Sequence, residues 1–431
     1  MSVVQAGAAA AERVDRTILR VAFASAIGTI VEWYDFFIYA TASALVFNKL
    51  FFPSFDPLVG SLVALGTYAA GFFARPVGGL IFGYIGDRYG RKGALVTTLL
   101  IVGVATFVIG LMPTYGSIGI AAPIILLAIR LLHGFGIGGE QGNAILITCE
   151  HAPPARRGFF GSWVQVGAPA GFVLPLGIFA ILTATLSEDA FLSWGWRIPF
   201  LLSLLLIAIG LYIRLKLTES PLFAKAREHE RHPLATLLRT HPREVVLGCG
   251  AKIAESTVFT TFAVLIVAYA TSRGIPRPTM TTVTLIAILL ELPALLIFGA
   301  WSDKAGRRPL YLGGALVAGL LTVPTFWLVY INELSYLWLA LAGVISVGHA
   351  AMYGPQASFF AELFPTSIRA SGVSFVQQIG ALIGSVGALS AGWLLQLGDG
   401  TPWYLCGYVI ATCILTIACT AALAEPDRNL G

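Results

Sequence analysis

The chain has 431 residues, 57% hydrophobic and only 11% charged, with a mean hydropathy of +0.82. A water-soluble domain carries roughly 25% charged residues, so most of this surface is solvated by something other than water. The net charge of +5 and pI near 9.0 would suit a nucleic-acid partner, but the order of the bases along the chain excludes one.

The first 18 or so residues are polar, carry Arg13 and Arg16, and lack the cleavage site of a removable signal peptide. About 20 apolar residues cross a bilayer as a helix, because backbone groups in lipid must be bonded within the segment. Twelve such runs follow, at approximately 19–48, 58–85, 93–113, 119–146, 156–184, 195–215, 244–272, 279–301, 309–331, 335–362, 368–398 and 402–424. Between the sixth and seventh lies the only long polar stretch, 216–243, with Lys216, Lys225, Arg227, Arg231, Arg239 and Arg243. The chain reads as an all-α membrane protein: a six-helix bundle in 1–215, a linker in 216–243 and a second six-helix bundle in 244–431.

With the N-terminus in the cytoplasm, 20 of the 27 Lys and Arg fall in cytoplasmic segments, Arg214 and Arg428 among them. Four lie opposite (Lys49, Arg197, Arg273 and Arg277), and three, Arg75, Arg130 and Lys252, lie within helices. Basic residues favour the cytoplasmic side, so both termini are expected inside. The positive charge is then a topology signal. The five cysteines (Cys149, Cys249, Cys406, Cys413 and Cys419) form no CxxC or metal-ligand spacing and read as small apolar residues.

One loop occurs twice. Gly83-Tyr-Ile-Gly-Asp87-Arg88-Tyr-Gly-Arg91-Lys92 returns as Gly299-Ala-Trp-Ser-Asp303-Lys304-Ala-Gly-Arg307-Arg308, with the two aspartates 216 residues apart. Glu150 with Arg157 seven residues later is echoed by Glu362 and Arg369, each after the fourth helix of its half. A chain repeated at this scale is a duplicated object. An Asp at such a turn can bond the free amides of a neighbouring helix N-terminus, and Arg88, Arg91, Arg157, Arg307 and Arg369 can meet Glu150 and Glu362 across that face. A latch between the halves is expected there. Topology alone would require neither the Asp nor the glycines.

These loops resemble the repeated signature of the major facilitator superfamily. Arg130-Leu-Leu-His-Gly134-Phe-Gly136-Ile-Gly138-Gly139 is similar to its fourth-helix motif. Gly28-Thr-Ile-Val-Glu32-Trp-Tyr-Asp35-Phe36 and Ser193-Trp-Gly-Trp-Arg197-Ile-Pro-Phe200 resemble the metabolite:proton symporters. Ala44-Leu-Val-Phe-Asn48, Phe51-Phe-Pro53 and Val164-Gln-Val-Gly167 look nearest the shikimate permease branch. The likeness spans about 19–424, and Thr29 departs from the asparagine usual there. It implies the twelve-helix major facilitator fold and import of acids such as shikimate or 2-oxoglutarate, or of proline and betaine, with protons. The driving force would be the proton gradient, with no cofactor or metal and no nucleic-acid partner. The setting would be a bacterial inner membrane, and a monomer is expected.

Ionisable residues inside a membrane are functional candidates by default. Glu32, Asp35 and Tyr39 share one face of the first helix with Gly28. Glu32 lies roughly 16 Å into that helix, and two such carboxyls do not both ionise easily, so the pair is expected to carry the coupled proton. Arg130, at a similar depth in the fourth helix, is expected to pair with the first helix and to touch substrate, with His133 a packing residue. Lys252 and Glu255 in the seventh helix either pair with each other or offer Lys252 to an anion opposite Arg130. Glu291, before Pro293, is a weaker candidate. Arg75 is expected at the gate, while Gln165, Gln377 and Gln378 either bind hydroxyls or bridge helices. A proton-coupled importer of a small organic acid therefore leads, ahead of a zwitterion symporter and of a ligand sensor without transport. No HExxH, P-loop or nucleophile elbow suggests an enzyme.

Overall fold

The computed structural model describes residues 3–53, 57–225 and 230–425. Arg227 and Arg428, counted above among the cytoplasmic bases, lie outside the described residues, as do the side chains of Arg13, Arg16 and Lys225. Among the described residues, twelve long helices account for the apolar runs. They are α1 (Val3–Ala42), α2 (Pro57–Tyr89), α3 (Arg91–Leu111), α4 (Ala121–His151), α5 (Pro154–Thr185) and α6 (Glu188–Leu215). After two short linker helices come α7 (Pro242–Ser272), α8 (Arg277–Ala305), α9 (Arg307–Tyr330), α10 (Leu337–Ala361), α11 (Thr366–Leu397) and α12 (Trp403–Ala422). Eleven contain stretches long and apolar enough to cross a membrane, in α1 over Thr17–Ala42. The exception by that measure, α2, has 33 residues, more than the about 20 a bilayer needs. No strand occurs among the described residues.

The two halves repeat one packing plan. In the first, α1 packs on α4, α5 and α6, α2 on α4, and α3 between α4 and α6; in the second, α7 packs on α11 and α12, α8 on α10, and α9 between α10 and α12. Across the middle, α2 lies on α11, and α5 on α8 and α10. Without a hydrophobic drive between helices in lipid, close backbone approach at small residues does much of the holding. A Cβ at Gly78 would fall 1.8 Å from the Phe135 carbonyl oxygen, and one at Gly138 1.9 Å from that of Arg75. These glycines are why the α2–α4 pair can form. Large apolar side chains turned outward, such as Val104 on α3, Ile124 on α4, Leu320 on α9 and Ile414 on α12, are exposed and face the surface that lipid would cover.

Candidate functional site

The repeated loops meet the opposite half. Asp87, near the end of α2, accepts the backbone N–H groups of Ala370 (2.9 Å) and Ser371 (2.8 Å) in α11. Its twin Asp303, near the end of α8, accepts those of Gly158 (2.8 Å) and Phe159 (2.9 Å) in α5. Both acceptors meet amides that a helix start leaves unbonded, at its positive end. Arg91 lies 3.2 Å from Asp87 and 3.4 Å from Glu150, and Arg369 reaches the same Glu150 oxygen at 3.1 Å, so one arginine from each half grips one buried carboxylate. Arg307 pairs with Asp303 at 2.7 Å and Glu362 at 3.2 Å. Arg157 and Arg369 also brace their own turns through the carbonyls of Cys149 (3.1 Å) and Phe364 (2.9 Å). The loop glycines Gly90 and Gly306 have φ of 107° and 99°, where a side chain would be strained.

Two gate assignments, Arg88 and Arg75, are corrected. Arg88 is exposed, donates to Tyr84 of its own helix at 2.6 Å and lies over the Tyr84 and Tyr89 rings. Successive helical residues point about 100° apart, so the turn that aims Asp87 at α11 aims Arg88 at solvent. Two residues of this layer escaped sequence reasoning. Glu219, after α6, accepts the N–H groups of Arg91 (3.0 Å) and Lys92 (3.2 Å) at the start of α3, and Glu425, after α12, accepts those of Arg307 (2.6 Å) and Arg308 (3.1 Å) at the start of α9. A Glu two residues beyond a buried leucine in both halves, Leu217 and Leu423, was the available signal.

Between the halves lies an open cavity, about 790 Å³ with the adjoining solvent included. Its first-half wall is aromatic, with Trp33, Phe36, Phe37 and Phe72 around Arg75; its second-half wall carries Lys252, Glu255, His349 and Tyr353. Arg75, expected at the gate, is thus a cavity residue. Pro76 does not end α2, which continues to Tyr89, so Arg75 sits roughly 21 Å from that end. Its guanidinium lies 5.3, 5.5 and 5.6 Å from the ring centres of Trp33, Phe36 and Phe72, and Nε donates to Gln378 of α11 at 3.1 Å. Lys252 pairs with Glu255, donates to Gln356 at 2.9 Å, and still faces the cavity. The pairing expected for Lys252 and Glu255 is present, and the same lysine is turned toward the cavity.

Arg130 does not line the cavity opposite Lys252. It packs over the rings of Phe36 (4.6 Å) and Tyr39 (4.5 Å), with Nη1 2.8 Å from His133 Nδ1. Tyr39, Gln165 and Gln377, also expected at the substrate, are likewise buried away from the cavity lining. The Tyr39 hydroxyl is 2.7 Å from that of Thr67, and Gln165 donates to the Tyr353 carbonyl at 3.2 Å, bridging the halves. The cavity is walled mainly by α1, α2, α7, α10 and α11, with only Ala168 from α5; Tyr39 and Gln377 lie on helices that wall it but are not among its lining residues.

Glu32 and Asp35 are fully buried behind the aromatic wall, and neither carboxylate receives a hydrogen bond among the described residues. Asp35 faces the Thr106 hydroxyl, whose hydrogen goes to the Val102 carbonyl at 3.0 Å. Near Glu32 lies an ion pair that sequence reasoning missed, Glu140 of α4 with Arg214 of α6. Arg214, counted as a cytoplasmic base, is 2% exposed and turned into the bundle, where it also donates to the Leu95 carbonyl at 2.5 Å. Glu140 lies 11 residues before the end of α4, about 16 Å inside, and that depth was its signal.

Known proteins resemble the chain throughout. Residues 21–261 match the family described as "Sugar (and other) transporter", and residues 247–430 match "Major Facilitator Superfamily". The chain is 40% identical over 389 residues to the inner membrane metabolite transport protein YhjE of Escherichia coli K12, covering 87% of each chain. It is 33% identical over 419 residues to the shikimate transporter of the same organism, covering 95% of each. It is 36% identical over 386 residues to a glycine betaine/proline/ectoine/pipecolic acid transporter of Dickeya dadantii, with 86% of this chain and 77% of that one covered. The fold matches the proton:xylose symporter XylE at a TM-score of 0.72 and 16% identity, over 94% and 95% of the two chains.

Proposed function

The chain belongs to the major facilitator superfamily and, within it, to the metabolite:proton symporters, so we propose that it imports a small organic acid such as shikimate or a related carboxylate together with protons. As a member of that family it is an integral membrane transporter of metabolites. The observation that carries the acid reading is the pair of cations, Arg75 from the first half and Lys252 from the second, on the walls of one cavity. A carboxylate held between them would draw the halves together, and a planar guanidinium suits it better than a point charge. The face carrying both loops is the cytoplasmic one in this reading. Its latch holds while the cavity loads from outside and parts to release the cargo inside, so the two halves rock about a central site. Glu32 and Asp35, ionisable and buried beside the cavity wall, supply the proton-carrying carboxyls.

A second reading, symport of a zwitterion such as betaine, draws on the aromatic wall and Glu255, which together would suit a quaternary ammonium. The rings nearest the cavity already surround the Arg75 guanidinium, which favours the acid. Purified protein in liposomes, acidified outside, should accumulate one of shikimate, 2-oxoglutarate or citrate. Accumulation of betaine or proline alone selects the second reading, and no uptake of any of them rejects both. Glu32→Gln and Asp35→Asn should each weaken proton-driven uptake while leaving exchange of labelled for unlabelled substrate. Unchanged coupling in both removes them from the mechanism.

A further inference from the structure

Behind Lys252 the second half holds a row of ionisable groups that the substrate grip does not use. Glu255 pairs with Lys252 through one oxygen, which also accepts from Ser256 Oγ at 2.9 Å. Its other oxygen lies 3.2 Å from His349 Nε2, and the Nδ1 of the same ring contacts Glu291. Lys252, Glu255 and His349 line the cavity; Glu291 is buried beyond them, and its Oε2 has no partner among the described residues. The ring sits at the end of a π-helical turn in α10 (Gly343–His349), wedged between Phe259 at 5.3 Å and Tyr353 at 5.2 Å. The titratable groups about it are Lys252 and Glu255 from α7, Glu291 from α8, Tyr311 from α9 by way of Gln356, Tyr353 from α10 itself, and Arg75 on the opposite wall of the cavity.

Ionised carboxylates only accept hydrogen bonds, so each ring nitrogen facing one carries a hydrogen or meets a protonated carboxyl. Counted either way, Lys252, Glu255, His349 and Glu291 together hold the same number of protons and are neutral. We propose that His349 and Glu291 form a second proton-carrying site, and that one proton taken up there releases Lys252 from Glu255 to hold the carboxylate of the substrate. The inference rests on the acid-symport reading for the identity of the anion, not for the site. The proton forms an O–H bond at Glu291 Oε2, and a shared hydrogen that began on Glu291 Oε1 or on Glu255 passes to the ring nitrogen it faces, so that every starting form ends with a neutral Glu291 carboxyl beside a doubly protonated His349 ring. The four groups then carry one excess positive charge. His349 is left with Glu255 as its sole anion, so Glu255 is shared and its hold on Lys252 loosens. A substrate carboxylate at Lys252 restores neutrality. A buried charge without a partner is strongly disfavoured, so a proton alone or an anion alone binds poorly and each favours the other, as linkage requires. When the anion leaves on the far side, Lys252 pairs again with Glu255 and the proton departs through His349 to the cavity.

Infrared difference spectra of the purified protein in lipid, acid against alkaline buffer, read the site without any substrate. Wild type should show a titrating carboxyl C=O band that Glu291→Gln removes and Glu32→Gln leaves. In liposomes Glu291→Gln should lose proton-driven accumulation of the acid that wild type carries while retaining its exchange. His349→Gln, which keeps Glu291, should shift the midpoint of the Glu291 band, and it serves if Glu291→Gln does not fold. A Glu291→Gln spectrum identical to wild type, or an unshifted band in His349→Gln, overturns the proposal. The Glu291 band in a protein that accumulates no acid upholds the proton site and rejects the acid reading instead.

Discussion

Replacing Asp87 by Ala takes one carboxylate from two backbone donors in α11, Ala370 at 2.9 Å and Ser371 at 2.8 Å, and these contacts join one half to the other. A hydrogen bond to a charged group contributes roughly 1.5 kcal/mol at the low end of its range, so the pair holds the latched state by about 3 kcal/mol. The open state loses nothing comparable, because there water bonds both the amides and the carboxylate. Since each 1.4 kcal/mol is tenfold in an equilibrium, the unlatched population should rise roughly a hundredfold. Arg91 retains Glu150 as a partner, so the halves themselves should stay folded. The shift is read by alkylation of a cysteine at Ser374, a buried α11 residue packed against Gly142 of α4 and Gly79 of α2. Ser→Cys is nearly isosteric, and while the latched state predominates the labelling rate follows the open population. Asp303→Ala should accelerate the same labelling, since the amides of Gly158 and Phe159 lose their acceptor. A rate that rises by less than about threefold in both variants would show that these aspartates shape the turn and do not hold the halves together.

Gly78→Ala and Gly138→Ala should leave little folded protein on size-exclusion chromatography, because each Cβ would fall within 2 Å of a carbonyl oxygen of the neighbouring helix; Gly93→Ala, with nothing within 4 Å, should be as stable as wild type. Glu140→Gln leaves the buried Arg214 with a weaker partner and should destabilise by up to about 3–5 kcal/mol, the cost of breaking a buried pair, seen as a lower midpoint of thermal unfolding in detergent. Arg75→Lys should weaken substrate binding while sparing stability, since an ammonium meets a carboxylate without the two-pronged fork; unchanged affinity for the transported acid would remove Arg75 from the site. Arg88→Ala, at an exposed position, should alter neither labelling of the Ser374→Cys reporter nor transport.

The repeat was legible because duplication writes the same residues twice. Asp87 and Asp303 needed only a neighbouring helix start to become contacts between the halves, and a loop motif beside a helix end is a local feature that a sequence displays. Twelve apolar runs were legible for a similar reason, since each helix must satisfy its backbone within itself whatever its neighbours are. What did not transfer from sequence was the direction in which a buried charge points. Arg130 and Arg75 both lie deep in the first half, and nothing in their spacing told which one meets the cavity. Rotation of α2 and α4 about their axes decides that, and the rotation follows from glycine contacts such as Gly78 on Phe135 and Gly134 on Gly71, which are tertiary.

His349 shows the same limit from the other side. It is a lone histidine in an apolar stretch, 94 residues from Glu255 and 58 from Glu291, and a lone histidine reads as packing. Glu291 by itself read as a weak candidate before Pro293. Each becomes chemically meaningful through the other, because two carboxylates one on either side of an imidazole constrain where protons reside, whereas any one of the three alone does not. In lipid the few charges that persist are expensive unless compensated, so finding one buried charge is reason to look for its partner on another helix. That rule would have led from Glu140 to Arg214, and it leaves Glu32 and Asp35, buried and without hydrogen-bond donors among the described residues, as the carboxyls of the first half proposed above to carry protons.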